Sequence, residues 1–158
     1  MAIQIGDRLP DIELRTMGEK GPEPVRTGDL FKGVRAVLFA VPGAFTPTCS
    51  AAHVPGFVVK ADELRAKGVD RIVCTSVNDA FVMDAWGKAQ NAEELVMLAD
   101  GLGDFARAVG LTQDRTAAQM GLRSQRYAMI VNDGVVEHLA IDPQGLDQSS
   151  AEAILARL

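Results

Sequence analysis

Arg35-Ala36-Val37-Leu38-Phe39-Ala40-Val41-Pro42-Gly43-Ala44-Phe45-Thr46-Pro47-Thr48-Cys49 decides how this chain folds. The run from Arg35 to Val41 is apolar after its first residue and of strand length, and Pro42-Gly43 stops it, as expected of a central strand buried on both faces. From Thr48 to Lys67 the composition favours helix, with Thr46 or Thr48 able to cap it and Pro47 suited to the first turn. Pro55 predicts a kink in that helix, and Gly68 its end. Arg71-Ile72-Val73-Cys74-Thr75-Ser76-Val77 follows as a second strand. A strand, a helix and a strand in this order predict a parallel, right-handed crossover.

The rest of the chain extends that unit. Residues 79–90 predict a helix with Phe81, Val82, Ala85 and Trp86 on its apolar face, Leu95–Ala99 a third strand, and Asp104–Val109 a short helix. Tyr127–Val131 and Val135–Ile141 flank Asn132-Asp133-Gly134, a hairpin signal because the turn needs residues that accept positive φ. Residues 148–158 predict a closing helix, and the stretch from Gly110 to Gln125 fits no element clearly. The opening third, rich in Gly and Pro, suggests short strands and turns folded over the body as a lid. Parallel strands with helical crossovers, then an antiparallel hairpin and a helix, predict one α/β domain over 1–158: a thioredoxin-like fold, with a mixed central sheet covered by helices on both faces.

Composition narrows the function. The net charge is -5, with 16 Lys and Arg against 21 Asp and Glu spread along 158 residues, so no basic stripe is available for nucleic acid. Apolar residues make up 47% of the chain, but every run is too short to cross a membrane. The amino terminus lacks the basic patch and apolar stretch of a secretory signal, which predicts a cytoplasmic protein. In such a reducing setting the two cysteines, Cys49 and Cys74, argue for reactivity instead of a disulfide framework. Together with His53 and His138 they match no usual zinc spacing, so no metal is expected.

Cys49 stands where the first strand hands over to the helix. Free backbone N–H groups and the helix dipole favour an anion there, so this thiol should ionise more readily than an ordinary one near ~8.5. Thr46 lies three positions before it and Pro42 seven. The pattern Pro-x-x-x-Thr-x-x-Cys resembles the peroxiredoxin active-site motif. The longer Pro42-Gly43-Ala44-Phe45-Thr46-Pro47-Thr48-Cys49-Ser50, with His53-Val54-Pro55-Gly56-Phe57, is similar to the peroxiredoxin 5 and plant type II subfamily. The likeness continues through Ser76–Met83, Leu98–Gly101 and Arg126–Met129.

That resemblance implies a thiol peroxidase acting on hydrogen peroxide and alkyl hydroperoxides without metal or organic cofactor. Cys49 would be the nucleophile and would pass through a sulfenic acid. Thr46 would hydrogen-bond the peroxide, the backbone N–H groups of Thr48 and Cys49 would hold a peroxide oxygen, and Pro42 would shield the sulfur. Arg126, before Tyr127 at the start of a strand, matches the family's active-site arginine, with Arg123 as the competing candidate. Glutathione with glutaredoxin, or thioredoxin, would be the reductant, and a homodimer is implied, with Phe45, Phe81 and Trp86 as contact residues if they are not core.

Cys74 carries two readings, a packed core thiol or a resolving cysteine, and its spacing from Cys49 resembles plant type II members in which both cysteines take part. Its position back along its strand predicts that a bond between them requires the first helical turn to unwind. His53, one turn beyond Cys49, is either a second-layer residue of the site or a surface or dimer-contact histidine. A rival reading is a redox sensor or a thioredoxin-like interaction protein; a disulfide oxidoreductase would need a Cys-x-x-Cys pair, and Thr46-Pro47-Thr48-Cys49 lacks one.

Overall fold

A computed structural model of the chain describes residues 2–158. Its main sheet has seven strands in the order β2-β1-β5-β4-β3-β8-β9. These are β1 (Glu13–Gly18), β2 (Gly21–Arg26), β3 (Arg35–Ala40), β4 (Arg71–Ser76), β5 (Val96–Ala99), β8 (Arg126–Asn132) and β9 (Val135–Asp142). The strands β3, β4 and β5 run parallel, while β8 joins β3 antiparallel and continues into β9 through the expected hairpin. Its turn residues Asp133 and Gly134 both have positive φ, 48° and 80°, the backbone that matches strand twist.

Alternation along β3 divides the core. Val37 and Phe39 face α2 (Val54–Val59), α3 (Ala61–Ala66), α4 (Ala80–Ala89) and α6 (Ala151–Leu155), whose Phe57, Leu64, Trp86 and Ile154 complete one cluster. Ala36, Leu38 and Ala40 face the other side, with α1 (Thr27–Leu30) and α5 (Asp104–Val109) supplying Leu30 and Phe105. Because strand side chains point alternately up and down, one apolar run serves both layers.

The structure departs from the expectations in several places. The opening segment is no lid: β1 and β2 form an antiparallel hairpin whose Arg15 pairs with Ala99, so it extends the main sheet. The unplaced stretch forms a separate two-stranded ribbon, β6 (Thr112–Arg115) and β7 (Gly121–Ser124); its short polar strands carry no apolar period to read. The helix after Cys49 is not one kinked rod. It starts at Pro47 and passes at once into a π-helical turn, Cys49–His53, in which the Val54 N–H donates to the Cys49 carbonyl, and it breaks at Lys60, with Pro55 in the first turn of α2. Proline has no N–H to return to Ala51, so the wider turn takes up the lost bond.

On α4 the buried face is Ala80, Met83, Trp86 and Gly87, with Phe81 66% exposed. Asp79 caps this helix by accepting from the Val82 N–H, which sets its phase so that Phe81 points outward. The closing helix is likewise shorter than expected, with the Ser150 hydroxyl accepting from the Ala153 N–H as its cap.

Candidate active site

Antiparallel pairing brings the start of β8 beside the end of β3: Tyr127 pairs with Ala40. Arg126, one residue earlier, therefore stands where the chain leaves β3 for Pro42 and Cys49. Arg126 is 8% exposed, and its guanidinium divides its donors. Nη2 donates to Cys49 Sγ at 3.0 Å and Nη1 to His53 Nδ1 at 2.7 Å. Cys49 itself is fully buried, so the sulfur has a fixed cation beside it and little water. A permanently charged donor is thus aimed at the sulfur.

Arg123 is elsewhere. Its Nε donates to the Met120 carbonyl and its Nη1 to the Val77 carbonyl, so it clamps loops together.

His53 is interior, 1% exposed, which corrects the surface and dimer-contact reading. The π-helical turn and the following α2 pack it against Phe39, 4.8 Å between ring centroids, and Phe57, 5.7 Å. Its Nε2 lies 2.9 Å from the Ser149 carbonyl. A carbonyl only accepts and a guanidinium only donates, so Nε2 carries the proton and Nδ1 is bare. Burial, then the Arg126 charge, pushes the imidazole down to about 3, and the ring is neutral.

Ser149 is in turn fixed by Asp142, whose carboxylate accepts from the Asp147, Gln148 and Ser149 N–H groups and the Ser149 hydroxyl. Burial raises the Asp142 carboxyl, but these donors outweigh it and hold it below the ordinary range. Asp142 also pairs with Arg126 across the β8–β9 ladder. Nothing in the sequence marked Asp142 and Ser149, because they meet only when the loop between them closes.

Thr46 follows Phe45, whose φ of 64° is unusual for a side chain of that size. The Thr46 hydroxyl donates to the Gly43 carbonyl at 2.6 Å, leaving its oxygen lone pairs to accept from a peroxide O–H. Thr48 does not cap the helix with its side chain. Thr48 and Cys49 lie in the first helical turn, where N–H groups have no intrahelical acceptor. Ser50 accepts from the buried Trp86 indole N–H at 2.9 Å, which assigns Trp86 to the core and pins the turn bearing Cys49.

Pro42, Thr46, Thr48 and Arg126 form one wall of a cavity of about 570 Å³ that opens to solvent. Cys74, in β4, pairs with Phe39 and Met97 and is fully buried in the same core cluster as Cys49. Both thiols are free. Burial, then the neighbouring Cys49, pushes the Cys74 thiol well up, so it stays protonated. Among the described residues no cluster of three or more His, Cys, Asp or Glu could hold a metal.

A buried cysteine at a strand-to-helix junction, faced by an arginine at hydrogen-bond distance, defines a thiol-chemistry site. The sequence profile of the Redoxin family matches residues 4–155, and the chain belongs to this family, among the peroxiredoxins, which are thiol-dependent peroxidases. Peroxiredoxin-2E, a chloroplastic protein of Arabidopsis thaliana, is 47% identical over 163 residues, covering 99% of this chain and 70% of that protein. Reduced Prx3 of Vibrio vulnificus in complex with H2O2 is 55% identical, with a TM-score of 0.95 over 98% of both chains. Peroxiredoxin 5 of Alvinella pompejana is 34% identical, with a TM-score of 0.86 over 98% of this chain and 96% of that one. The thioredoxin-like fold expected from the sequence is thus shown.

Proposed function

We propose that Cys49 is the nucleophile of this peroxidase, Arg126 its electrostatic partner, and Thr46 with the backbone N–H groups of Thr48 and Cys49 the holder of the peroxide. The observation that carries this is the 3.0 Å contact from Arg126 Nη2 to Cys49 Sγ. The sulfur anion attacks one peroxide oxygen, an S–O bond forms as the O–O bond breaks, and the departing oxygen takes a proton to leave as water or an alcohol. Charge that builds on that oxygen meets donors already in place, which is how such sites lower a barrier. Pro42 walls the approach.

The sulfenic acid on Cys49 is then reduced by an external thiol, with glutathione and glutaredoxin as the reading we favour over Cys74 followed by thioredoxin. Support comes from Cys74 being a fully buried thiol on a central strand, protonated and held in a ladder on both sides. The thiol sulfur attacks the sulfenic sulfur, an S–S bond replaces the S–O bond, and hydroxide leaves with the thiol proton as water. A second thiol releases Cys49 and carries away the disulfide. Phe45 and Phe81, 55% and 66% exposed, support a homodimer.

Intact mass after one equivalent of peroxide, with and without glutathione, tests the route. One bound glutathione on Cys49 is expected. A loss of two hydrogens with no adduct would instead mean an internal disulfide with Cys74.

A further inference from the structure

The cavity walled by Pro42, Thr46, Thr48 and Arg126, the Cys49 partner, is far larger than hydrogen peroxide needs. Its outer wall comes from the β6–β7 ribbon and from the loop after β9, and it includes Gln113, Arg115, Gln125, Asp142 and Gln144. A volume of about 570 Å³ falls in the range of sites that bury a small organic ligand.

The charged groups around it are not equivalent. Arg126 is committed to Cys49 and His53, and the neighbouring Arg123 to two backbone carbonyls. Among the described residues the one carboxylate in the wall, Asp142, is saturated by four donors from Asp147, Gln148 and Ser149. Gln113 and Gln125 donate to the Ser124 and Thr112 carbonyls. Arg115 is different. It is half-buried in this wall, and among the described residues its guanidinium has neither a hydrogen bond nor a salt bridge. Its backbone is held, since it pairs with Gly121 and its carbonyl accepts from the Met120 N–H. A positioned guanidinium with its planar fork free is suited to a carboxylate.

We propose that Arg115 seats a carboxylate of the molecule that reacts at Cys49, making the mouth a specificity site for carboxylate-bearing thiols or carboxylate-bearing hydroperoxides. This rests on the reading of Cys49 as the reacting sulfur. In the thiol case the anchored molecule supplies its sulfur to the sulfenic acid by the balanced exchange given above. In the peroxide case it supplies the O–O bond.

The test separates the two sources by single-turnover kinetics on the full chain and its Arg115→Gln and Arg115→Lys variants. One arm mixes the Cys49 sulfenic form with 3-mercaptopropionate or with 2-mercaptoethanol. The other mixes the reduced protein with a fatty-acid hydroperoxide or its methyl ester. Arg115→Gln is expected to slow the carboxylate member of one pair by roughly tenfold relative to its neutral partner, the scale of one charge-assisted contact. Arg115→Lys should keep most of the preference, and the rate with hydrogen peroxide should not change.

A selective loss in the thiol arm assigns the seat to the reductant, and one in the peroxide arm assigns it to the substrate. In the unmutated protein the same preference should shrink as salt rises. No preference for the charged member in either arm, or an equal loss with charged and neutral partners, overturns the proposal. The small thiols report on the seat even if glutathione proves not to be the reductant, so the two readings fail separately.

Discussion

Arg126 Nη1 donates to His53 Nδ1 at 2.7 Å, and that contact exists because His53 Nε2 is already committed to the Ser149 carbonyl at 2.9 Å. The neutral ring thereby fixes which way the guanidinium points, and Nη2 is left facing the sulfur. Replacing His53 with Phe keeps the ring volume beside Phe39 and Phe57 but removes the acceptor. The expected result is a peroxide step slowed by about 10- to 100-fold, equivalent to about 1.4–2.7 kcal/mol. In an Arg126→Ala background the same change should have almost no further effect, since the two residues act through one contact. Stopped-flow rates of the four proteins check this, and additive losses would count against it.

The same histidine makes stability depend on pH. Its folded value is depressed from 6.5 to about 3, so between those values the unfolded chain holds a proton that the folded chain sheds. Unfolding free energy therefore rises with pH across that window and is flat above it. Acidification from 6.5 should cost up to about 1.4 kcal/mol per pH unit, and His53→Phe should lose that slope. Asp142, held below its ordinary range, has the other assignment: its stabilising contribution is intact above 3.8 and is lost only on further acidification. Urea unfolding at a series of pH values measures both.

Cys74 gives a third expectation. Cys74→Ser should turn over peroxide at the parent rate when glutathione and glutaredoxin supply the electrons. A substantial drop in that assay would assign Cys74 the resolving step and would require the π-helical turn to unwind.

Trp86 offers a fourth. Trp86→Phe removes the indole donor to Ser50 and leaves a small void, with an expected loss on the order of 1–3 kcal/mol. Hydrogen exchange at residues 49–53 should quicken more than exchange in β3, because the lost bond pins only that turn. Equal protection in both segments would argue against a local role.

Much of this was legible in the sequence. The run from Arg35 to Val41, the Gly68 stop and the Asp133-Gly134 turn each have one dominant local cause, and each formed as expected. Cys49 is marked by its strand-to-helix junction, whereas Thr46 and Arg126 are named only through the resemblance to the peroxiredoxin motif. What stayed hidden depends on closure between distant segments. The Asp142–Ser149 latch needs its loop folded back, and Arg115 reaches the mouth only through a polar ribbon without apolar period. The phase of α4 was misread because Asp79 sets it through a cap, and the apolar Phe81 lies on the outside.

The most direct test compares pre-reduced Cys49→Ser with Cys74→Ser, each mixed with one equivalent of hydrogen peroxide, following both peroxide decay and intact mass. Cys74→Ser should consume the peroxide and gain one oxygen on Cys49, while Cys49→Ser should leave it at the uncatalysed rate. Rapid decay with Cys49→Ser, or an oxygen gained elsewhere, would contradict the assignment of the reacting sulfur.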